Sequence, residues 1–258
     1  MYIEERMISS EDGRTYRIRI ARPTQSPPPA GYPVLYLLDA NAVFGTAAEA
    51  VSVQSRRADK TGVVPSIVVG ISYPSEELFP SERHYDFTLD SDPLKLPAHP
   101  EGKTWPPQGG ARRFLAFLEH QLKPEIARGY PINPAKQTLF GHSLGGLFTL
   151  YALFASPGAF RTYVAGSPSI HWNKESILAE ETAFSAGEGS AEVRLLVAVG
   201  SLEDNHKSRM VDHAKELVAR LSVLDRAGLH VEYRSFEDDN HVSLLPGLIS
   251  RAIRFAAD

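Results

Sequence analysis

The sequence predicts an α/β fold: a mostly parallel central sheet, an antiparallel hairpin at its N-terminal edge, and helices on both faces. Three observations carry this. Short apolar runs alternate with helix-compatible stretches through most of the chain, the signature of strands joined by helical crossovers. Those runs are continuously apolar, as suits strands buried on both faces. The first 22 residues differ, because they alternate with period two around a turn.

The hairpin comes first. Arg14-Thr15-Tyr16-Arg17-Ile18-Arg19-Ile20 alternates polar and apolar, and Glu11-Asp12-Gly13 supplies the turn before it. Pro27-Pro28-Pro29-Ala30-Gly31 then breaks regular structure. Val34 to Leu38 and Ser66 to Ile71 follow as buried strands, with a helix-compatible stretch from Ala42 to Ser55 between them. Residues 88–110 hold five prolines and three glycines, a density that no helix or central strand tolerates. A loop this long in a compact domain is a candidate wall of an active site. Phe114, Phe117, Leu118, Leu122 and Ile126 keep helical spacing, predicting one amphipathic helix over 111–128 that kinks at Pro124. Beyond it come a strand (137–140), an apolar helix (145–154) and two further strands, 162–166 and 194–199. A helix from His206 to Arg226 closed by Gly228, a last strand at 230–236 and a final helix from Leu245 to Phe255 complete the chain. No repeat or domain-scale linker interrupts this order, so residues 1–258 are expected to form a single domain.

Composition narrows the function. Hydrophobic residues make up 43% of the chain and charged residues 22%, ordinary for a globule with a full core. A net charge of −4 offers no basic footprint for nucleic acid or an anionic membrane. No segment approaches the roughly 20 apolar residues that a membrane-spanning helix needs, and the N-terminus carries early acids rather than a leader pattern. A cytoplasmic protein with neither nucleic-acid nor membrane partners is expected. There is no cysteine, which removes thiolate nucleophiles and thiolate metal sites.

The chemistry gathers around Gly141-His142-Ser143-Leu144-Gly145, which fits the pattern G-x-S-x-G. A nucleophilic serine must sit on a strained strand-to-helix turn, and glycines two positions either side avoid collisions there. Here the pattern follows a predicted strand and opens a predicted helix, so the α/β-hydrolase fold is the expected architecture, with Ser143 as nucleophile. In that fold the acid and then the histidine follow on later strands. His241, in the loop after the last strand, is the candidate general base. Glu203 or its neighbour Asp204 is the candidate acid, Glu203 being favoured. A serine–histidine dyad without a close acid is the third possibility, and the same acids could instead cap the following helix. His142 inside the turn reads as a packing residue, whereas His171 after another strand top is a candidate cleft residue. The tetrahedral intermediate needs backbone N–H donors, expected from Leu144 and from Ala40 or Asn41 after the Val34–Leu38 strand. No metal or cofactor is required by any of this.

Several runs resemble the esterase-D-like family of α/β-hydrolases, and within it the siderophore-esterase branch that opens trilactone esters. They are Leu35-Tyr36-Leu37-Leu38-Asp39, Arg83-His84-Tyr85-Asp86-Phe87-Thr88, Gly109-Gly110, Phe140 through Phe148, Ser167-Pro168-Ser169-Ile170 and Gly200-Ser201-Leu202-Glu203. The resemblance implies a serine esterase with catalytic Ser143 and His241, an oxyanion donor near Ala40, and a small-molecule ester as substrate, a ferric siderophore among the candidates. It also implies a substrate contact from Arg83, against the alternative of a structural Arg83–Asp86 pair. Ala40 stands where such proteins often have glycine, and His171 where they often have a bulkier aromatic. A general carboxylesterase or thioesterase of small acyl groups, and an acyltransferase on the same fold, are the other functions the sequence allows.

Overall fold

A computed structural model describes residues 1–90, 96–99, 101–187, 192–204, 207–224 and 228–257. Its strands are β1 (Tyr2–Ser9), β2 (Thr15–Arg22), β3 (Tyr32–Leu37), β4 (Ile67–Ser72), β5 (Ile132–His142), β6 (Thr162–Gly166), β7 (Val193–Gly200) and β8 (Leu229–Phe236). They form one eight-stranded sheet in the order β1-β2-β4-β3-β5-β6-β7-β8. β1 and β2 pair antiparallel, β2 joins β4 antiparallel, and β3 to β8 run parallel. The predicted hairpin and the mostly parallel sheet are both present.

Helices cover both faces. They are α1 (Ala40–Gln54), the single turn α2 (Ala58–Thr61), α3 (Arg83–Phe87), α4 (Ala111–Phe117), α5 (Lys123–Gly129), α6 (Leu144–Ala155), α7 (Lys174–Ala186), α8 (Met210–Ser222) and α9 (Leu244–Ala257). The strand pleat divides the core in two, because successive side chains point to opposite faces. Leu35 and Leu37 of β3 pack with Phe44, Val51, Leu248 and Ile253 of α1 and α9. Val34 and Tyr36 pack on the other face with Phe114, Phe148 and Leu217 of α4, α6 and α8. Each fully buried side chain of this size stabilises the fold by about 1.5–3 kcal/mol. β4 and β6 are buried along their whole lengths, in line with their unbroken apolar sequences. β1, at the sheet edge, is mostly exposed and carries Glu4, Glu5 and Arg6, charges that discourage pairing with another chain.

Three elements depart from the sequence reading. The helix expected over 111–128 is present and unbroken from Ala111 to Gly129, but between α4 and α5 it widens into a π-type turn at Leu118–Leu122. Pro124 has no N–H to give to the preceding turn, and the chain widens there rather than kinking at the proline itself. The helix expected from His206 begins at Met210, after Arg209 in a left-handed conformation (φ 50°). His206 and Arg226, its predicted ends, lie outside the described residues. α7 carries only a weak apolar stripe, three buried residues in thirteen, and periodicity did not reveal it.

The fold brings every candidate residue to one edge. Parallel strands leave their connections at the carboxyl ends, where ligands of open α/β sheets bind. Asp39 and Ala40 follow β3, Ser143 follows β5, Ser167 follows β6, Glu203 follows β7 and His241 follows β8.

Candidate active site

Ser143 sits between β5 and α6 at φ 59°, ψ −119°, a conformation that strains a non-glycine residue. Neighbouring backbone holds it there: its N–H donates to Gly166 O (2.9 Å), and its carbonyl accepts from Leu147 (3.0 Å) and Ser169 (3.1 Å). Small residues permit the turn, with a correction to the expected pair. A Cβ on Gly141 would lie 2.1 Å from Gly145 O, and one on Gly146 would lie 2.6 Å from Gly166 O. At Gly145 the tightest contact would be 3.3 Å, to Asp39 Oδ2, so Gly146 and not Gly145 is the second position that backbone closes. The Ser143 hydroxyl lies 3.3 Å from that of Ser169.

Opposite stands a histidine with a fixed acid. His241 Nδ1–H donates to Glu203 Oε2 at 2.8 Å. Glu203 is 5% exposed, and its other oxygen accepts from Ser167 Oγ (2.6 Å) and Gly200 N–H (2.8 Å). Burial alone would push this carboxyl up, but the hydrogen bonds from His241, Ser167 and Gly200 outweigh it and hold the pKa below the usual value. Asp204 points elsewhere: it is more than half exposed and lies 3.7 Å from Lys215. Neither acid caps the next helix, since Glu203 belongs to the short turn Ser201–Glu203 and α8 starts seven residues later. With Nδ1 engaged, Nε2 is the nitrogen left to serve as base in the cavity that His241 shares with Ser143. His142 packs against His241 with ring centroids 4.5 Å apart. Burial, and then the proximity of His241, push the His142 pKa down to about 3, so this ring is neutral beside its neighbour.

Two helix starts converge beside the serine. Leu144 is the first residue of α6 and Ala40 the first of α1, and first-turn N–H groups have no partner inside their own helices. The contact a Gly145 Cβ would make with Asp39 and Leu38 measures how near the two helix starts lie. Asn41, whose backbone N–H is the alternative donor, anchors this start of α1 to the loop after β4 through its side chain, donating to Tyr73 O (3.1 Å) and Ser75 O (2.8 Å) and accepting from Tyr73 N–H (2.9 Å). Two helix N-termini this near the serine suit a developing oxyanion.

Arg83 lines the same cavity but is committed. Its Nε and Nη2 donate to both oxygens of Asp39, each at 2.7 Å, and both residues are buried. Burial works against the charged guanidinium, and the Asp39 carboxylate more than offsets it. The alternative Arg83–Asp86 pair is not formed. Asp86, one turn on in α3, binds Arg14 (2.9 Å) and Tyr73 Oη (2.9 Å) instead. Burial raises the Asp86 pKa to about 6, against the pull of Arg14 and Tyr73. The Arg83–Asp39 pair therefore fastens α3 to the residue that immediately precedes α1. Removing one member of a buried pair strands the other charge, at a cost of about 3–5 kcal/mol. Arg83→Ala is accordingly expected to lower unfolding stability by about that much, measured in urea, and to depress turnover of neutral and anionic esters alike. Loss confined to anionic esters, with stability intact, would instead give Arg83 a direct substrate contact.

The cavity between these elements holds about 440 Å³ and is lined by Ser143, Leu144, Ser169, His171, Glu203 and His241 together with Trp105, Trp172 and His84. His171 and Arg83 thus border the cavity, and Trp105 brings the proline-rich 88–110 segment to its wall. Residues 91–95 and 100 of that segment lie outside the described residues. Sequence reading did not single out Ser167, Ser169 or the two tryptophans. The Ser-Pro-Ser-Ile run contained the serines, but only the tertiary contact with Glu203 and Ser143 gives them a place. Among the described residues no group of three or more His, Asp or Glu side chains is placed to hold a metal ion, and no helix is long and apolar enough to cross a membrane.

Known proteins share this arrangement's frame. The family described as "Putative esterase" matches residues 9–245. The ferri-bacillibactin esterase BesA of Bacillus subtilis is 53% identical over 256 residues, covering 98% of this chain and 89% of that protein. The siderophore enterobactin esterase of Emericella nidulans is 34% identical, covering 87% and 82%. The BES protein from Bacillus cereus superposes with a TM-score of 0.90 at 43% identity, over 99% of this chain and 96% of that one. The siderophore hydrolase EstA from Aspergillus nidulans gives 0.86 at 29% identity, over 99% and 94%. By family match, by relatives aligned along nearly its whole length and by its sheet order, the chain belongs to this esterase family and is a carboxylic ester hydrolase on the α/β-hydrolase fold.

Proposed function

We propose that the chain hydrolyses the ester bonds of a siderophore through an acyl-enzyme on Ser143. The observation that carries the mechanism is the 2.8 Å bond from His241 Nδ1 to an ionised, triply hydrogen-bonded Glu203, at a cavity that also holds the strained serine. The names and high identity of the relatives support the substrate class.

In this reading His241 Nε2 takes the Ser143 proton as Oγ attacks the ester carbonyl. Negative charge develops on the carbonyl oxygen, and the N–H groups of Leu144 and Ala40 receive it. The tetrahedral intermediate collapses as the imidazolium returns the proton to the leaving alkoxide. Water then repeats the sequence on the acyl-enzyme, releasing the acid and restoring Ser143. Glu203 holds the imidazole in the tautomer that presents Nε2 and stabilises it when charged.

The test uses the purified chain with a serine trilactone siderophore, with and without iron, and mass spectrometry of the products. Ring-opened acid is expected, together with a burst of about one product equivalent per chain when a chromogenic ester replaces the lactone. Cleavage of small acetate esters without any lactone opening would make the chain a general carboxylesterase. Diversion of most acyl groups to an added alcohol would make it an acyltransferase.

A further inference from the structure

We propose that His142 is a positioning residue for the general base, its buried ring and Nδ1–H together holding the His241 imidazole toward Ser143. This inference rests on Ser143 and His241 being nucleophile and base, and adds what keeps them facing each other. His142 is the last residue of β5, joined by one peptide bond to Ser143, and it is 5% exposed. Its ring lies against that of His241, with centroids 4.5 Å apart and planes at 44°.

His241 needs such a support. It stands in the loop after β8 with a partly exposed side chain, and its ring makes one described hydrogen bond, from Nδ1 to Glu203 Oε2. A bond at one atom fixes a distance but leaves the ring free to swing about it. A second ring packed against it removes that freedom and fixes where Nε2 lies. Because the supporting ring belongs to the residue before Ser143, base and nucleophile share one anchor. A displacement of about 1 Å at a reacting group can cost on the order of 10²-fold in rate.

Packing alone does not account for a histidine here. Its Nε2 is buried and makes no hydrogen bond among the described residues. A buried polar atom without a partner destabilises the fold, and an apolar ring would fill the same space without that cost. The other nitrogen has a use. It meets the His241 backbone in a contact that favours a proton on the ring, so Nδ1–H donates and the His241 carbonyl accepts. Room for the ring comes from β6, where a Cβ on the paired Gly166 would lie 3.3 Å from His142 Cδ2. Burial, then His241 and more weakly Arg83, keep the His142 ring neutral against the opposing pull of Glu203. A neutral ring sits beside the imidazolium that forms during turnover without repelling it.

Three variants separate the two contacts. His142→Phe keeps the ring and loses the N–H, His142→Asn keeps a donor near the Nδ1 position and loses the ring, and His142→Ala loses both. The measurements are kcat and KM on a chromogenic ester, the rate of labelling by a serine-directed phosphonate, and the melting temperature. His142→Ala is expected to lower kcat by on the order of 10²-fold with KM within about twofold, and the other two variants by about five- to tenfold each. Labelling should slow in the same order. His142→Phe is expected to melt at or above the temperature of the unsubstituted chain, because it removes the unpartnered nitrogen, so activity and stability move in opposite directions. A purely structural role predicts otherwise: the phenylalanine variant keeps full activity, and the other two lose it only as they lose folded protein. Should His142→Ala fail to fold, the phenylalanine and asparagine variants decide. A kcat for His142→Phe within about twofold of the unsubstituted value, with an unchanged labelling rate, overturns the positioning role. An unsubstituted chain that takes no phosphonate label would count against the reading of Ser143 and His241 instead.

Discussion

Ser143→Ala is expected to lower ester turnover by on the order of 10³-fold or more while leaving the fold intact. The hydroxyl makes one described hydrogen bond, a 3.3 Å contact with Ser169, so its loss removes little stabilisation. The positive φ of 59° is set by backbone bonds to Gly166, Leu147 and Ser169, none of which involves the side chain. Alanine carries the same Cβ and meets the same strain, so the elbow keeps its shape. What disappears is the hydroxyl proposed to form the acyl bond. Water attack assisted by the two helix starts would remain, and such residual catalysis is typically 10³–10⁴ over solution. The measurement is kcat on a chromogenic ester, paired with a thermal melt and with labelling by a serine-directed phosphonate. Labelling should vanish with the activity. Retained turnover would remove Ser143 from the mechanism.

The order of elements was legible because each buried strand of this sheet is a short unbroken apolar run, as in Val68-Val69 of β4 and Leu195-Leu196-Val197 of β7. The positions of Ser143, Glu203 and His241 were legible for a related reason. Parallel topology sends every strand end to one edge, so residues that follow strands in sequence meet in space. Other features depended on tertiary contact. α7 has little apolar periodicity to detect, because its outer face is exposed and only Ile177, Glu181 and Phe184 are buried. Glu181 is paired with Arg220 of α8 at 2.7 Å, a bond between helices that no local pattern encodes. The partner of Arg83 could not be read from spacing either. Asp86 was the near choice in sequence, three residues on in the same helix, but it is engaged by Arg14 and Tyr73, and Arg83 reaches Asp39, 44 residues away. Trp105 lies in a proline-rich segment without periodicity, so only its packing on Trp172 placed it at the cavity.

Electrostatics at the strand ends follows from the same topology. Glu203 is buried and ionised because three donors from separate elements meet it: Ser167 after β6, Gly200 at the end of β7 and His241 after β8. Asp86 is buried to a similar degree, yet its pKa rises to about 6. The difference lies in whether the surrounding donors outweigh desolvation. A carboxylate that must stabilise an imidazolium needs the first arrangement.

Glu203→Gln is expected to reduce kcat by about 10³–10⁴-fold, and Asp204→Asn to leave it within about twofold. The isosteric amide would still fill its pocket, so the bonds from Ser167 and Gly200 could persist on the remaining oxygen. Its NH₂ would then face His241 Nδ1, and two donors cannot share that 2.8 Å contact. The imidazole must give up the Nδ1 proton and carry one on Nε2, which is the wrong tautomer for accepting from Ser143. A triad histidine held in the wrong tautomer loses about 10⁴ in rate in the best-studied serine protease. Asp204 faces solvent near Lys215 and has no route to the histidine, so its charge matters little at the bond being broken. Steady-state kinetics on one ester, with circular dichroism to confirm folding, decides the matter. The reverse ranking would move the acid to Asp204. Small effects in both variants would leave Ser143 and His241 working as a dyad, with Glu203 serving only to hold the strand ends together.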